Sequence, residues 1–106
     1  MGYFRHDAIV ITGAREHVEK AAEKAMALGL PVSSAVRGLV NDEWAVLVAP
    51  DFSKEGWATS SKADQARYFL KIWLKENEEM YLDFVHISFG GDEPELTHIV
   101  DFNGKE

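Results

Sequence analysis

Two apolar runs of strand length, Ala8-Ile9-Val10-Ile11 and Trp44-Ala45-Val46-Leu47-Val48-Ala49, constrain this chain more than any other feature. Neither alternates with polar residues, so each reads as a strand covered on both faces or nearly so, and hence central in a sheet. Both fall far short of the ~18 to 20 apolar residues that cross a bilayer. The first strand is expected over Phe4 to Thr12, with Gly13 breaking the pattern. A helix follows over Ala14 to Leu28, because Val18, Ala21, Ala22, Ala25 and Met26 recur at helical spacing opposite Glu16, Glu19, Lys20, Glu23 and Lys24. Gly29-Leu30-Pro31 stops it.

Val32 to Val40 carries small and polar residues suited to an exposed edge strand. Asn41-Asp42 is turn chemistry and joins it to the second apolar run as a hairpin, ended by Pro50. A polar connection, Asp51 to Ser61, leads to a second helix. Ser60 or Ser61 is its expected cap, Asp64 sits in its first turn, Ala66, Phe69, Leu70, Trp73 and Leu74 form its apolar stripe, and it fades near Asn77. Phe84 to Phe89 alternates as a half-buried strand, with Val85, Ile87 and Phe89 on one face and Phe84, His86 and Ser88 on the other. After the Gly90 to Pro94 turn, Leu96 to Phe102 closes a last hairpin. The order βαββαββ predicts an α+β, ferredoxin-like (split βαβ) sandwich. Two helices then cover one face of a mostly antiparallel five-stranded sheet, in a single domain over residues 1–106.

The composition supports a folded chain, since 46% of residues are hydrophobic and no segment is biased enough to stay disordered. Without cysteine there is neither a disulfide framework nor a thiolate metal site. The first seven residues lack the pattern of a signal peptide, so a cytoplasmic protein is expected, without a membrane role. A net charge of -7 argues against general nucleic-acid binding. The charge is skewed: residues 1–75 hold 10 basic and 9 acidic side chains, and residues 76–106 hold 1 and 9.

Three features bear on function. The stretch Asp51 to Trp57 packs Asp51, Ser53, Lys54, Glu55 and Trp57 into one loop, which reads either as a recognition surface or as a lid whose Phe52 and Trp57 fold back on the core. His86-Ile87-Ser88-Phe89 has the His-apolar-Ser-apolar form of the two-histidine phosphoesterases, but in one copy only, because His98-Ile99-Val100 lacks the hydroxyl. A catalytic set of His86, Ser88 and His98 is the alternative it offers, against an ordinary strand histidine. His6, His86 and His98 are placed on one sheet face near Asp7 or Asp101, yet their spacing matches no metal motif, and no metal is expected. No Gly-rich phosphate loop is present, and no cofactor is expected. The acidic final third reads as a docking surface for a basic partner or as a solvated surface.

Tyr3-Phe4-Arg5-His6-Asp7-Ala8-Ile9-Val10-Ile11-Thr12 and Ala49-Pro50-Asp51-Phe52-Ser53-Lys54-Glu55-Gly56-Trp57 together resemble a group of short proteins encoded by bacteriophages and bacteria. That group has an aromatic-basic-His strand start and a Pro-Asp-x-Ser-Lys-Glu-Gly-Trp loop. The resemblance implies a phage or bacterial source and carries no activity. The loop is expected to leave its strand at the end opposite Phe4, keeping His6 and Trp57 apart. The expectation is a small, non-enzymatic interaction protein with a protein partner, acting through the 51–61 loop or the acidic third. A small phosphoesterase-like or metal-dependent hydrolase and a small-ligand binding module are the alternatives. The sequence leaves the oligomeric state open.

Overall fold

A computed structural model of the chain describes residues 6–53, 57–90 and 94–103. The elements are strand β1 (His6–Ala14), helix α1 (Arg15–Ala27), strands β2 (Val36–Arg37) and β3 (Glu43–Val48), helix α2 (Ala58–Glu76), and strands β4 (Asp83–Phe89) and β5 (His98–Phe102). Single 3-10 turns, Glu78–Met80 and Pro94–Leu96, precede β4 and β5. The fold is α+β, with two helices and one five-stranded antiparallel sheet ordered β2-β3-β1-β4-β5. Among the described residues no helix is long and apolar enough to cross a membrane.

The two apolar runs occupy β1 and β3, which pair with Ile9 opposite Val48 and Ile11 opposite Val46. On its other side β1 sets Ile9 opposite His86 and Ile11 opposite Phe84. Directly opposed residues share a face, so Ile9, Ile11, Val46, Val48 and Phe84 form one apolar floor. Val18, Ala21, Ala22 and Ala25 of α1 and Ala63, Ala66, Leu70 and Leu74 of α2 join that floor in a single core, which places both helices over the same face. The small residues of α1 let its backbone come close, while Leu70, fully buried, contributes about 1.5–3 kcal/mol. The other face is apolar and open: Leu47, Val10, Val85 and Phe102 lie side by side in register across four strands.

Several boundaries differ from expectation for local reasons. Strand β1 runs through Gly13 to Ala14 instead of stopping. A Cβ at Gly13 would stand 2.8 Å from Leu82 Cδ2, so glycine here permits close packing and does not end the strand. The edge strand shrinks to Val36–Arg37, with one isolated bridge between Val32 and Val48. The connection between β2 and β3 ends in a tight turn in which Asn41 and Asp42 take φ 61° and 52° and the Glu43 N–H donates to Val40 O at 3.4 Å. Helix α2 begins at Ala58, so Ser60 is a buried helical residue and not a cap. Its buried stripe is rotated: Phe69 faces solvent, Trp73 is only partly buried, and Arg67 lies inside. Met26 of α1 is likewise exposed.

Candidate functional site

The loop leaving β3 and the buried face of α2 meet in a chain of polar side chains set into the apolar core. Arg67, 2% exposed, is its hub. On α2 it falls four residues after Ala63 and three before Leu70, so the helical repeat that buries those residues also carries the guanidinium inward. Its Nη1 donates to Asp51 Oδ1 at 3.3 Å, and its Nη2 donates to Asp64 Oδ1 at 2.6 Å and lies 3.7 Å from Asp7 Oδ2. Three carboxylates around one guanidinium make the burial of that charge tolerable. The Ser53 hydroxyl donates to the other Asp51 oxygen. Burial pushes the Asp51 carboxyl up, but the hydrogen bonds from Ser53, a backbone N–H and Arg67, with the Arg67 charge, outweigh it and hold the group below its ordinary 3.8.

From Asp7 the chain continues across the sheet. His86, 5% exposed, stands opposite Ile9 on the helix-covered face of β4, where its Nε2 lies 3.0 Å from Asp7 Oδ1 and its Nδ1 lies 2.8 Å from Lys71 Nζ. An ammonium has donors only, so Nδ1 accepts from Lys71 and Nε2 carries the proton donated to Asp7. Lys71 Nζ is also 3.8 Å from Asp101 Oδ2, and Lys75 Nζ donates to the same carboxylate at 3.0 and 3.1 Å. Burial holds the Lys71 ammonium below its ordinary 10.5, with Lys75 and Arg67 adding to the effect and Asp101 and Asp7 opposing it. For Asp101, burial acts upward, while Lys75, the Phe102 backbone and Lys71 bring the carboxyl below 3.8.

The loop itself is shaped by this anchor. Asp51 and Ser53 turn inward, and Phe52 between them adopts φ 60°, the left-handed region that costs a side-chain-bearing residue roughly 1–2 kcal/mol. The result is a ring that is 62% exposed and leans edge-on against His6 at 5.3 Å between centroids. His6 in turn meets Phe89 at 5.5 Å. Gly90, at φ 86°, leaves room for the imidazole: a Cβ there would run into His6 Cδ2. Trp57, 53% exposed, caps α2.

The sequence-derived candidates therefore separate. Asp51, Ser53 and Trp57 lie on one loop, with the first two inward and Trp57 outward, whereas Lys54 and Glu55 lie outside the described residues. The loop emerges beside the start of β1, not at the far end, because antiparallel pairing of Ile9 with Val48 sets the end of β3 next to the beginning of β1. His6 and the loop thus share one end of the molecule. The three histidines do not share a face: His6 pairs with Phe89 on the open side, and His86 lies under the helices. Ser88 is buried opposite Asp7, and His98 is exposed on β5 with its Nδ1 2.6 Å from Leu96 O. His86 has both ring nitrogens engaged. No group of three or more His, Asp or Glu among the described residues is placed to hold a metal ion. Of the acidic third, Asp101 turns toward Lys75 and Lys71, while Asp92, Glu93 and Glu106 lie outside the described residues.

Sequence reasoning missed Arg67 and Lys71. The signal for Arg67 was present as a charge within the Ala63, Ala66, Leu70, Leu74 spacing. Comparison with family models, with curated proteins and with solved structures gave no match.

Proposed function

We propose that the protein is a small interaction module, and that its 51–57 loop presents Phe52 and Trp57 to a protein partner. The observation that carries this reading is the backbone of Phe52. A bulky residue in the left-handed region persists only where its surroundings impose it, and here Asp51, held by Arg67, and Ser53, bonded across Phe52 to Asp51, impose it. The outcome is an exposed aromatic on a rigid base, with a second exposed aromatic at the head of α2. Such rigid aromatics supply most of the energy in protein interfaces. The module is read as a cytoplasmic protein of phage or bacterial origin, and its strand order as the ferredoxin-like arrangement with one strand added beside β4. That fold hosts many activities, so the loop and not the topology supports the functional reading.

Capture from a bacterial lysate tests it, using immobilised wild type beside a Phe52→Ala/Trp57→Ala variant whose circular dichroism and urea midpoint show that it folds. Each anchor aromatic is worth about 2 kcal/mol or more, so removing both weakens binding by about 4 kcal/mol, roughly 700-fold, and a partner held by both is lost from the variant's eluate. Recovery of the same proteins in the same amounts from both columns overturns the proposal.

A further inference from the structure

We propose that Asp7, His86 and Lys71 form an amine-nucleophile triad that condenses Lys71 with small aldehydes, at a site separate from the 51–57 loop. The three groups are in line: Asp7 Oδ1 is 3.0 Å from His86 Nε2, and His86 Nδ1 is 2.8 Å from Lys71 Nζ. A nucleophile bonded to a base that a third group orients is the arrangement shared by covalent catalysts on unrelated folds. Here the nucleophile is an amine instead of a hydroxyl, and Asp7, held by β1 and by Arg67, is the positioning residue.

The surroundings favour a reactive amine. Lysine becomes nucleophilic at neutral pH when it is desolvated beside other cations. Lys71 meets both conditions, since its side chain is 13% exposed and Lys75 and Arg67 flank it on α2; Asp101, 3.8 Å away, and Asp7 favour the ammonium but do not reverse the effect of burial. The remaining exposure places it at the rim of the core, between His86 and Asp101. His86 and Asp7, at 5% exposure each, lie behind it away from water.

The chemistry closes without an external oxidant or reductant. His86 Nδ1 takes one proton from the Lys71 ammonium, and the amine lone pair forms a C–N bond to the aldehyde carbon as the carbonyl π pair moves to oxygen. Transfer of a proton from nitrogen to that oxygen gives the neutral carbinolamine. The imidazolium then returns its proton to the carbinolamine hydroxyl, the C–O bond breaks, water leaves, and a protonated imine remains on Lys71. Asp7 stabilises the transient imidazolium through Nε2–H.

The test is reductive trapping with acetaldehyde and sodium cyanoborohydride on the full chain, followed site by site by peptide mass spectrometry. Exposed Lys62, on the same helix, is the internal reference. Near pH 7 N-ethylation of Lys71 outpaces that of Lys62, because burial disfavours the Lys71 ammonium and raises its share of free amine. Its rate also levels off at a lower pH. In His86→Gln the amide still accepts a hydrogen bond from Lys71 but takes no proton, and ethylation of Lys71 falls to the Lys62 rate or below. A wild-type Lys71 that reacts no faster than Lys62 overturns the proposal, whether or not the variant folds. An unchanged Lys71 rate in folded His86→Gln overturns the role of the imidazole. Loss of partner capture in the Phe52/Trp57 variant has no bearing on either readout.

Discussion

Arg67 Nη1 lies 3.3 Å from Asp51 Oδ1 although sixteen positions separate the two residues, so a side chain of α2 is the post to which the loop leaving β3 is tied. The same guanidinium holds Asp64 and approaches Asp7, and one residue thereby joins the loop, the helix and the central strand.

Arg67→Met tests that joint. The substitution keeps most of the volume but leaves Asp51 and buried Asp7 without their cation, and breaking a buried pair from one side costs about 3–5 kcal/mol. Urea unfolding monitored by tryptophan fluorescence measures it. A loss below about 1 kcal/mol would show that the loop is held by other means.

Two carboxyls with lowered pKa values set the acid limb of stability. Asp51 and Asp101 are both below 3.8 in the folded state, so the unfolded chain binds protons more readily as pH falls. Their contribution is complete above about pH 3.8 and is lost as pH drops through the folded values. Lys71 acts at the other end: its lowered pKa means that stability rises with pH from its folded value up to 10.5. Urea midpoints across pH show both slopes. Asp51→Asn flattens the acid limb and leaves the alkaline rise, whereas Lys71→Met removes the alkaline rise and, by taking a cation from beside Asp101, also weakens the acid limb; an alkaline rise that survives Lys71→Met contradicts the network.

Gly90→Ala strains the end of the molecule that carries the loop. The left-handed backbone costs roughly 1–2 kcal/mol for alanine, and the added Cβ displaces His6 from its contacts with Phe52 and Phe89. A thermal melt drops by at least about 4 °C, since 1 kcal/mol moves Tm by roughly 4–8 °C in a domain of this size. An unaltered Tm would mean that the His6 ring relaxes freely.

The two faces of the sheet respond unequally to truncation. Leu70→Ala opens a cavity under the helices and costs about 2–5 kcal/mol. Phe102→Ala, on the open face, costs less than about 1 kcal/mol because half of that ring already contacts water. Equal losses in chemical denaturation would indicate that something covers the open face in solution.

The central strands were legible because continuous apolar runs have few alternatives, and α1 because Val18, Ala21, Ala22 and Ala25 keep a strict helical repeat. The start of α2 was not legible: Ser60 resembles a cap, yet Trp57 stands there and the serine is buried. The rotated stripe of α2 escaped for a related reason. Phe69 and Trp73 outrank Arg67 in hydrophobicity, but three carboxylates from three separate parts of the chain decide which side turns inward. Asp64 is a helical neighbour three positions away, but Asp7 and Asp51 lie far off in sequence and leave no local pattern, and the same holds for His86 between Asp7 and Lys71. The alternation of β4 assigned His86 and Ser88 to one face correctly, but only the placement of α2 shows that this face is the covered one.

The brevity of β2 governs how these molecules meet one another. Beyond β3 the sheet offers a two-residue ladder, Val36 and Arg37, and an isolated bridge at Val32, and Arg37 is drawn back at 3.2 Å to Asp42 of its own turn. A margin so short, and bearing a charge, gives an incoming strand almost no free amides to grip. Strand addition, and with it fibril growth in concentrated solution, is thereby disfavoured through β2.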